Sequence, residues 1–333
     1  MHRTIVAALA LMSGCASSVY RVQTASFVPI PALPPPPSTR GDADLYLGDN
    51  TVAFMSRPNL APNENAGLYL PRTQLDAAVS FHPGGSSTGG RLVYRHAFSG
   101  GAFEAAPTTL PNPNTDAFAP GLGLSLHADL GADGQFGLDV IADLMLASIP
   151  SFVRVTCVEG ACTPGEIVDE HTQRDEVFLA SGAVFMTYTW NQRSRIFVAL
   201  AFQNHPTNIG DFETIDRTPE VEPDEGPVNF LVGAGADIVL TDWLSLVPQI
   251  QTSVTARPVR YGPIFGIGLR GTFGATPAQE PAAPANAPAP VMPLTPVVVT
   301  PLSVVPPPPP VPVIIVPPPG EPPPPAVFVY PPQ

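Results

Sequence analysis

The chain contains 333 residues, carries a formal net charge of −13 at pH 7 and has only 13% charged residues. This acidic balance excludes nucleic acid as a partner, because nucleic acid requires a basic binding surface. All basic side chains other than histidine are arginine, so a Schiff-base lysine and a phosphate-loop lysine are excluded as well. No stretch reaches the roughly 18 apolar residues of a transmembrane helix, and low charge without such a stretch is typical of membrane β-barrels.

Residues 1–15 have the pattern of a bacterial export signal, with a short basic start, an apolar run and then Leu-Met-Ser-Gly-Cys. These last residues resemble the lipobox of bacterial lipoproteins, although Met12 stands where that family usually has leucine. The resemblance implies that Cys15 carries a diacylglycerol anchor. Ala16 after it favours the outer membrane over the inner one. Ordinary signal cleavage one to three residues after the cysteine is the alternative.

Two further cysteines, Cys157 and Cys162, form an even pair, which predicts a disulfide in an oxidising compartment. Gly160 between them permits the tight turn that a short loop requires. A two-ligand metal site is the alternative, but it needs additional ligands at fixed spacing. Two acidic connectors, 166–176 and 211–225, favour a solvated surface over a calcium site. No phosphate-loop, zinc or haem motif occurs, so we expect no cofactor.

Residues 43–275 contain segments in which apolar and polar side chains alternate. In residues 121–131, every second residue is leucine or alanine, and the residues between them are Gly123, Ser125, His127 and Asp129. Residues 135–147 repeat the pattern after a short turn-forming sequence. Two adjacent strands of this length approach what is needed to cross a bilayer at a tilt.

Further strands are expected at 50–56, 74–82, 90–98, 176–190, 195–203, 228–240, 244–255 and 262–274. The connectors alternate between short, as at 131–134, and long, as at 148–175. Outer-membrane barrels have short periplasmic turns and long extracellular loops, whereas a β-sandwich, the alternative, gives no reason for this alternation. The sequence therefore predicts an all-β fold, an antiparallel up-and-down transmembrane barrel of ten strands, or eight if the earliest segments lie outside it. An even count places both ends of the barrel in the periplasm, as a lipidated N-terminus requires.

The strand pattern and the aromatic-ended last strand, residues 267–273, resemble the OmpA/OmpX-type small outer-membrane barrels. The last strand looks like the signal that the barrel-assembly machinery recognises. The resemblance implies the outer membrane of a Gram-negative bacterium. It also implies outer-membrane lipid and the barrel-assembly machinery as partners.

Proline-rich segments flank the predicted barrel. Residues 16–42 are expected to be an extended, polyproline-like linker. Residues 276–333 are expected to be a disordered, low-complexity tail with a reach on the order of 180 Å at about 3.1 Å per residue. Strand parity places this tail in the periplasm, as a spacer or as a docking segment for a periplasmic or peptidoglycan-associated partner.

Polar residues on the non-lipid face are the candidate site. Ser125, His127 and Asp129 have the residue types of a hydrolase triad. Neighbours on one strand face are about 6.6 Å apart, however, which is beyond a Ser–His hydrogen bond. Because buried charges must be paired, we instead expect a lumen charge network of arginine and aspartate. Its members are Arg91, Arg95, Asp129, Asp139, Asp143, Asp237 and Arg270.

The sequence therefore predicts a non-enzymatic envelope protein with a structural or interaction role. No catalytic, cofactor-binding or metal-binding residue is assigned. A narrow diffusion channel is the first alternative, and a barrel lipid hydrolase is the second.

Overall fold

The computed structural model describes most of the chain between residues 17 and 274. The described residues are 17–38, 40–53, 55–56, 67–83, 86–106, 108–131, 134–190, 194–204, 207–208, 211–219, 221, 223–224, 228–255 and 260–274. The predicted signal peptide with Cys15 and the predicted tail lie outside them. Within the described ranges, no helix is long and apolar enough to cross a membrane.

Ten strands form one closed antiparallel barrel. In chain order these are β2 (Ala43–Val52), β5 (Thr73–Phe81), β6 (Thr88–Ala97), β8 (Ala117–Leu130), β9 (Phe136–Glu159), β10 (Ile167–Thr189), β11 (Arg195–Asn204), β15 (Val228–Val239), β16 (Leu244–Ser253) and β18 (Ile264–Phe273). Each pairs with the next barrel strand along the chain, and β18 pairs with β2 to close the ring. The predicted ten-stranded up-and-down barrel is confirmed.

Within the described residues, eight further strands lie outside the barrel wall. They are β1 (Val19–Phe27), β3 (Met55–Ser56), β4 (Gly67–Leu70), β7 (Phe103–Ala106), β12 (Thr207–Asn208), β13 (Asp211–Thr214), β14 (Pro223–Asp224) and β17 (Arg260–Tyr261). The first barrel strand is β2 and not the predicted segment at 50–56. The alternation already begins at Asp44 and Tyr46, which are buried, and at Leu45, which is exposed.

The two faces of the barrel wall differ in the way that the alternation predicts. On β8, Leu122 and Leu124 are about two-thirds exposed, whereas Ser125 is buried. Leu144 on β9 and Leu200 on β11 are also exposed on the outside. A continuous apolar exterior around a polar interior reverses the order of a water-soluble protein, and it matches a barrel surrounded by lipid.

Aromatic side chains ring both ends of this apolar band. One ring consists of Phe81, Phe136, Tyr188, Trp190, Trp243 and Phe273. The opposite ring includes Phe98, Phe118, Phe178, Phe202 and Phe230. Phe178 and Tyr188 are separated on β10 by about 33 Å of strand, or about 25 Å of height at a tilt of about 40°. Because this is the height of the apolar band of outer-membrane barrels, the fold is that of an outer-membrane β-barrel.

The two ends of the barrel carry different connections. Short turns lie at one end, which we call the short-turn end, at 82–87, 131–135, 190–194 and 240–243. The opposite end is the long-connector end. There the predicted connector at 148–175 is mostly strand, because β9 continues to Glu159 and β10 begins at Ile167. The alternation of buried and exposed residues persists through Val153, Val155 and Cys157, which is why the ladder does not stop at the apolar band.

The barrel sheet extends beyond the apolar band at the long-connector end, and we call this extension the cap sheet. It consists of residues 148–159 of β9, residues 167–176 of β10, and the strands β1, β4, β7 and β13. β1 pairs antiparallel with β9 from Ser151 to Glu159 and parallel with β4. The apolar side chains of Val22, Val153 and Val155 pack together in this sheet.

Residues 28–38 follow β1 and run in an extended conformation through the barrel interior; we call them the lumen segment. The sequence predicts an extended, polyproline-like linker over 16–42, but residues 19–27 form β1, and residues 28–38 are extended and buried. Ile30, Ala32 and Leu33 are at most 2% exposed. A ten-stranded barrel leaves room for such an insertion, because an eight-stranded one is just filled by its own side chains.

The even strand count places both barrel termini at the short-turn end, as predicted. The backbone N–H of Asp42 donates to the carbonyl of Phe273 over 2.9 Å. Gly41, with φ of 75°, makes the turn from the lumen into β2, and a Cβ there would lie 2.4 Å from the Phe273 carbonyl oxygen. The described chain before β2 does not remain at this end, because the lumen segment connects it to β1, which lies at the long-connector end.

Replacing Leu124 with arginine should destabilise the folded barrel by about 2–4 kcal/mol, because the charge would face hydrocarbon near the midplane. Ile215→Arg is the matched control, since Ile215 is 73% exposed on a connector outside the apolar band. It should change the free energy of unfolding by less than about 0.5 kcal/mol. Urea titration of barrel folding in lipid vesicles measures both. Equal effects of the two substitutions would contradict the assigned lipid face.

Candidate functional site

The lumen segment has the sequence Val-Pro-Ile-Pro-Ala-Leu-Pro-Pro-Pro-Pro-Ser, and its prolines determine its conformation. Proline fixes φ near the polyproline II value and has no N–H group. The segment therefore cannot join a β-ladder and cannot satisfy its own carbonyl groups. Buried carbonyls without donors would be costly, so the barrel wall must supply those donors.

Near the long-connector end, side chains of β5 and β6 supply donors. Nε2 of Gln74 donates to the Ile30 carbonyl over 3.1 Å. Arg95 donates to the same carbonyl and to that of Ala32, both over 3.4 Å. Asp76 neutralises this arginine through a 2.8 Å ion pair. One guanidinium thus binds a carboxylate and two backbone carbonyls at once.

Leu33 is held in the middle of the lumen by contacts of both its backbone and its side chain. Its N–H donates to Oε1 of Gln251 over 2.6 Å, and Nε2 of Gln249 donates to its carbonyl over 3.4 Å. Its side chain packs against Gly233 of β15, where an added Cβ would lie only 2.2 Å from Leu33 Cδ1. Glycine at position 233 therefore leaves room for the Leu33 side chain, since any larger side chain there would occupy the same space.

Two arginines hold the last prolines near the short-turn end. Arg270 donates to the Pro36 carbonyl, and Arg195 donates to the Pro37 carbonyl over 2.7 Å. Asp237 forms ion pairs with both arginines, 3.5 Å from Arg195.

Further aspartates complete this arrangement. Asp44 lies 3.6 Å from Arg270 and accepts a hydrogen bond from the Ser38 N–H over 3.2 Å. Oδ2 of Asp139 lies 3.8 Å from NH1 of Arg195. Arg195 and Arg270 thus each lie within 4 Å of two buried aspartates.

Six of the seven residues predicted for the lumen charge network lie buried in the barrel: Arg91, Arg95, Asp139, Asp143, Asp237 and Arg270. The structure pairs Arg91 with Asp143 over 3.3 Å. Asp129 is different, because it sits one residue before the end of β8, where its side chain is 67% exposed and contacts His127. It belongs to the rim and not to the network.

Sequence reasoning missed several residues that contact the lumen segment. Asp44, Asp76 and Arg195 occupy inward positions and could have been found by extending the same alternation. Gln74, Gln249 and Gln251 are uncharged, so the expectation of paired charges did not include them. Their role became visible only with the lumen segment in place, because they act as donors and acceptors for its backbone.

A small cavity lies beside the lumen segment. A cavity of about 20 Å³ lies next to Pro34 and Pro35, lined by Arg91 and Asp143 among others. This volume is close to that of a single water-sized site.

The histidine contacts in the structure differ from those that the hydrolase alternative would need. Ser125 does form a hydrogen bond with a histidine, but the partner is His82, at 2.9 Å, and not His127. His127 contacts Asp139 at 2.6 Å instead. Ser125 and His82 are at most 5% exposed, so a lipid ester cannot reach the hydroxyl in this structure.

The cap sheet carries its own polar contacts. Nε of Arg21 on β1 donates to Asp211 on β13 over 2.6 Å, and the contact with this carboxylate raises the pKa of Arg21 above its ordinary value.

The predicted disulfide joins Cys157 and Cys162 at the tip of the β9–β10 hairpin. In the part of the chain that the structure describes, no group of three or more His, Cys, Asp or Glu side chains is arranged to hold a metal ion.

The chain matches no protein-family model and no curated protein sequence. Several solved outer-membrane barrels share its general architecture. The translocator domain of the autotransporter NalP from Neisseria meningitidis is 9% identical with a TM-score of 0.28, over 82% of this chain and 94% of that one. The beta domain of the Bordetella autotransporter BrkA is 14% identical with a TM-score of 0.31, over 70% and 100%. The Pseudomonas putida toluene transporter TodX is 9% identical with a TM-score of 0.28, over 78% and 90%. At these scores the similarities carry no argument about function.

Replacing Arg270 with alanine should lower the free energy of unfolding by about 3–5 kcal/mol, because buried Asp44 would lose its ion pair with Arg270 and buried Asp237 would keep only Arg195 as a counter-charge. Arg21→Ala is the matched control: Arg21 is about half exposed, and its ion pair should contribute at most about 1 kcal/mol. The temperature at which the barrel loses its heat-modifiable gel migration measures both. If Arg21→Ala lowered this temperature as much as Arg270→Ala, the result would contradict the role of the buried network.

Proposed function

We propose that this protein is a non-enzymatic, non-conducting outer-membrane barrel with a structural or interaction role in the cell envelope. The observation that carries the proposal is the lumen segment, which fills the interior along the height of the barrel. An open channel needs a continuous hydrated path, whereas here Leu33 and the prolines of the lumen segment are buried inside the barrel. The cap sheet, placed over the long-connector end, supports the same conclusion.

The surface that remains for interaction lies at the two ends of the barrel. By the general rule for outer-membrane barrels, the short-turn end faces the periplasm and the cap sheet faces outward. The barrel wall would contact outer-membrane lipid, and the last strand with Phe273 would engage the barrel-assembly machinery. The segment 276–333 follows the last strand at the short-turn end. We propose that it serves in the periplasm as a spacer or docking segment for a periplasmic or peptidoglycan-associated partner.

The narrow channel and the lipid hydrolase remain as alternatives with specific weaknesses. A channel requires the lumen segment to leave the interior, which would expose the donors of Arg95, Arg195 and Arg270. A hydrolase requires access to Ser125, which is 1% exposed. The closed lumen is therefore the better supported state.

Wild-type protein in a planar lipid bilayer should show no discrete conductance steps. Deleting residues 17–38 should produce steps, because the charged wall would then surround water. Deleting 276–333, which also removes a long proline-rich segment, is the matched control and should leave the barrel closed. Heat-modifiable migration verifies that each variant folds. If the wild type showed conductance steps as large as those of the variant without residues 17–38, the result would favour the channel.

The proposed tail location is tested with an epitope after Gln333. It should resist antibody detection on intact cells and become detectable when the outer membrane is permeabilised. Removal of 276–333 should leave barrel migration unchanged, because the last strand ends at Phe273. Detection on intact cells would contradict a periplasmic tail.

The proposed lipid anchor is tested by metabolic labelling with a palmitate analogue. Wild-type protein should be labelled because the residues before Cys15 fit a lipobox, and Cys15→Ser should not be. A mature protein that is unlabelled and begins after Ala16 would favour ordinary signal cleavage.

A further inference from the structure

The lumen segment crosses the barrel in one direction. The N–H of Val28 donates to the Tyr69 carbonyl on β4, which belongs to the cap sheet at the long-connector end. Ten residues later, the N–H of Ser38 donates to Asp44 near the start of β2, at the short-turn end. The contacts with Ile30, Leu33 and Pro36 follow in the same order along the barrel. The chain therefore passes from one end of the barrel to the other.

The length of the segment fits a complete crossing. Ten steps at about 3.1 Å per residue in a polyproline II conformation span about 31 Å. The hydrocarbon core of a bilayer is roughly 30 Å thick, and the apolar band of such barrels is about 25 Å. A segment of this composition thus reaches across the membrane without a helix.

β1 is fixed on the far side by several independent contacts. It pairs with β9 beyond the apolar band and with β13 on its other edge. Arg21 is joined to Asp211, and Val22 is fully buried against Val153 and Val155. At the hairpin tip, the backbone N–H of Ala161 donates to Ser18 Oγ over 3.0 Å. The first described residues are therefore an integral part of the cap sheet.

We propose that this barrel displays its own N-terminal segment on the outer surface of the cell. Residues 17–27 lie outside, residues 28–38 cross the membrane through the lumen, and the wall begins at Ala43 on the periplasmic side. The inference goes beyond the proposed function, since it concerns the direction of the crossing and not the conductance of the lumen. The surface that would be displayed outside the cell is the cap sheet, of which β1 is one strand.

This placement has a consequence for Cys15. Cys15 is three residue steps before Ser18, and three steps span at most about 11 Å. The lumen segment alone is about three times as long, so a lipid on Cys15 would be carried on the outer side and could not reach the periplasmic leaflet. An acylated protein of this kind is a surface-exposed lipoprotein, whereas ordinary cleavage leaves a free surface-exposed N-terminus.

Labelling of introduced cysteines on intact cells tests the direction of the crossing. Ser17→Cys reports on the N-terminal segment, Arg217→Cys reports on the long-connector end, and Thr241→Cys reports on the short-turn end. All three positions are exposed in the structure. Each variant is treated with a membrane-impermeant maleimide before and after the outer membrane is permeabilised, with the wild type as the blank. Heat-modifiable migration verifies that the barrel is folded.

The expected result is that Ser17→Cys behaves like Arg217→Cys and is labelled on intact cells, with at least a tenfold excess over Thr241→Cys. After permeabilisation Thr241→Cys should reach the same level. Labelling of Ser17→Cys only after permeabilisation, together with labelling of Arg217→Cys on intact cells, would overturn the proposal. The bilayer conductance of the wild type is measured separately, so a conducting barrel would refute the proposed function without deciding where the N-terminus lies.

Discussion

The buried arginines of the lumen are the feature on which the rest of the structure depends. Arg95, Arg195 and Arg270 each contact an aspartate of the wall and a carbonyl of the lumen segment. The proline-rich segment offers acceptors and almost no donors, while an arginine offers several donors and no acceptor. Each component therefore satisfies what the other lacks, and neither would be stable in a low-dielectric interior alone.

This complementarity explains why a charged lumen is compatible with a closed barrel. The aspartates neutralise the arginines, other donors of Arg95, Arg195 and Arg270 bind backbone carbonyls, and the side chains of Ile30 and Leu33 are buried beside them. Gly233 shows that the fit extends to shape, because its missing side chain is the space that Leu33 occupies. An interior paired in this way is expected to be specific for one register of the inserted segment, since a shift by one residue would misplace both carbonyls and prolines.

The inserted segment also connects the two ends of the molecule. Gly41 and the start of β2 fix it at the short-turn end, and β1 fixes it at the cap sheet. The disulfide between Cys157 and Cys162 closes the hairpin whose strand β9 binds β1. The barrel, the lumen segment and the cap sheet thus form one continuous hydrogen-bonded structure, which favours a structural or interaction role over a transport path.

The sequence alone predicted the barrel, ten strands with eight as the alternative, the lipid-facing side and most of the buried charges, because a period of two along each strand records which face is buried. Leu124 and Asp143 could be placed correctly on that basis alone. It could not determine that residues 28–38 lie inside, since a proline-rich segment has the same local conformation in solvent as in a lumen. Nor could it reveal Gln249, Gln251 or Gly233 as parts of a site, or bring His82 to Ser125. Those relations join residues far apart in the chain, and only closure of the barrel around its own N-terminal segment brings them together.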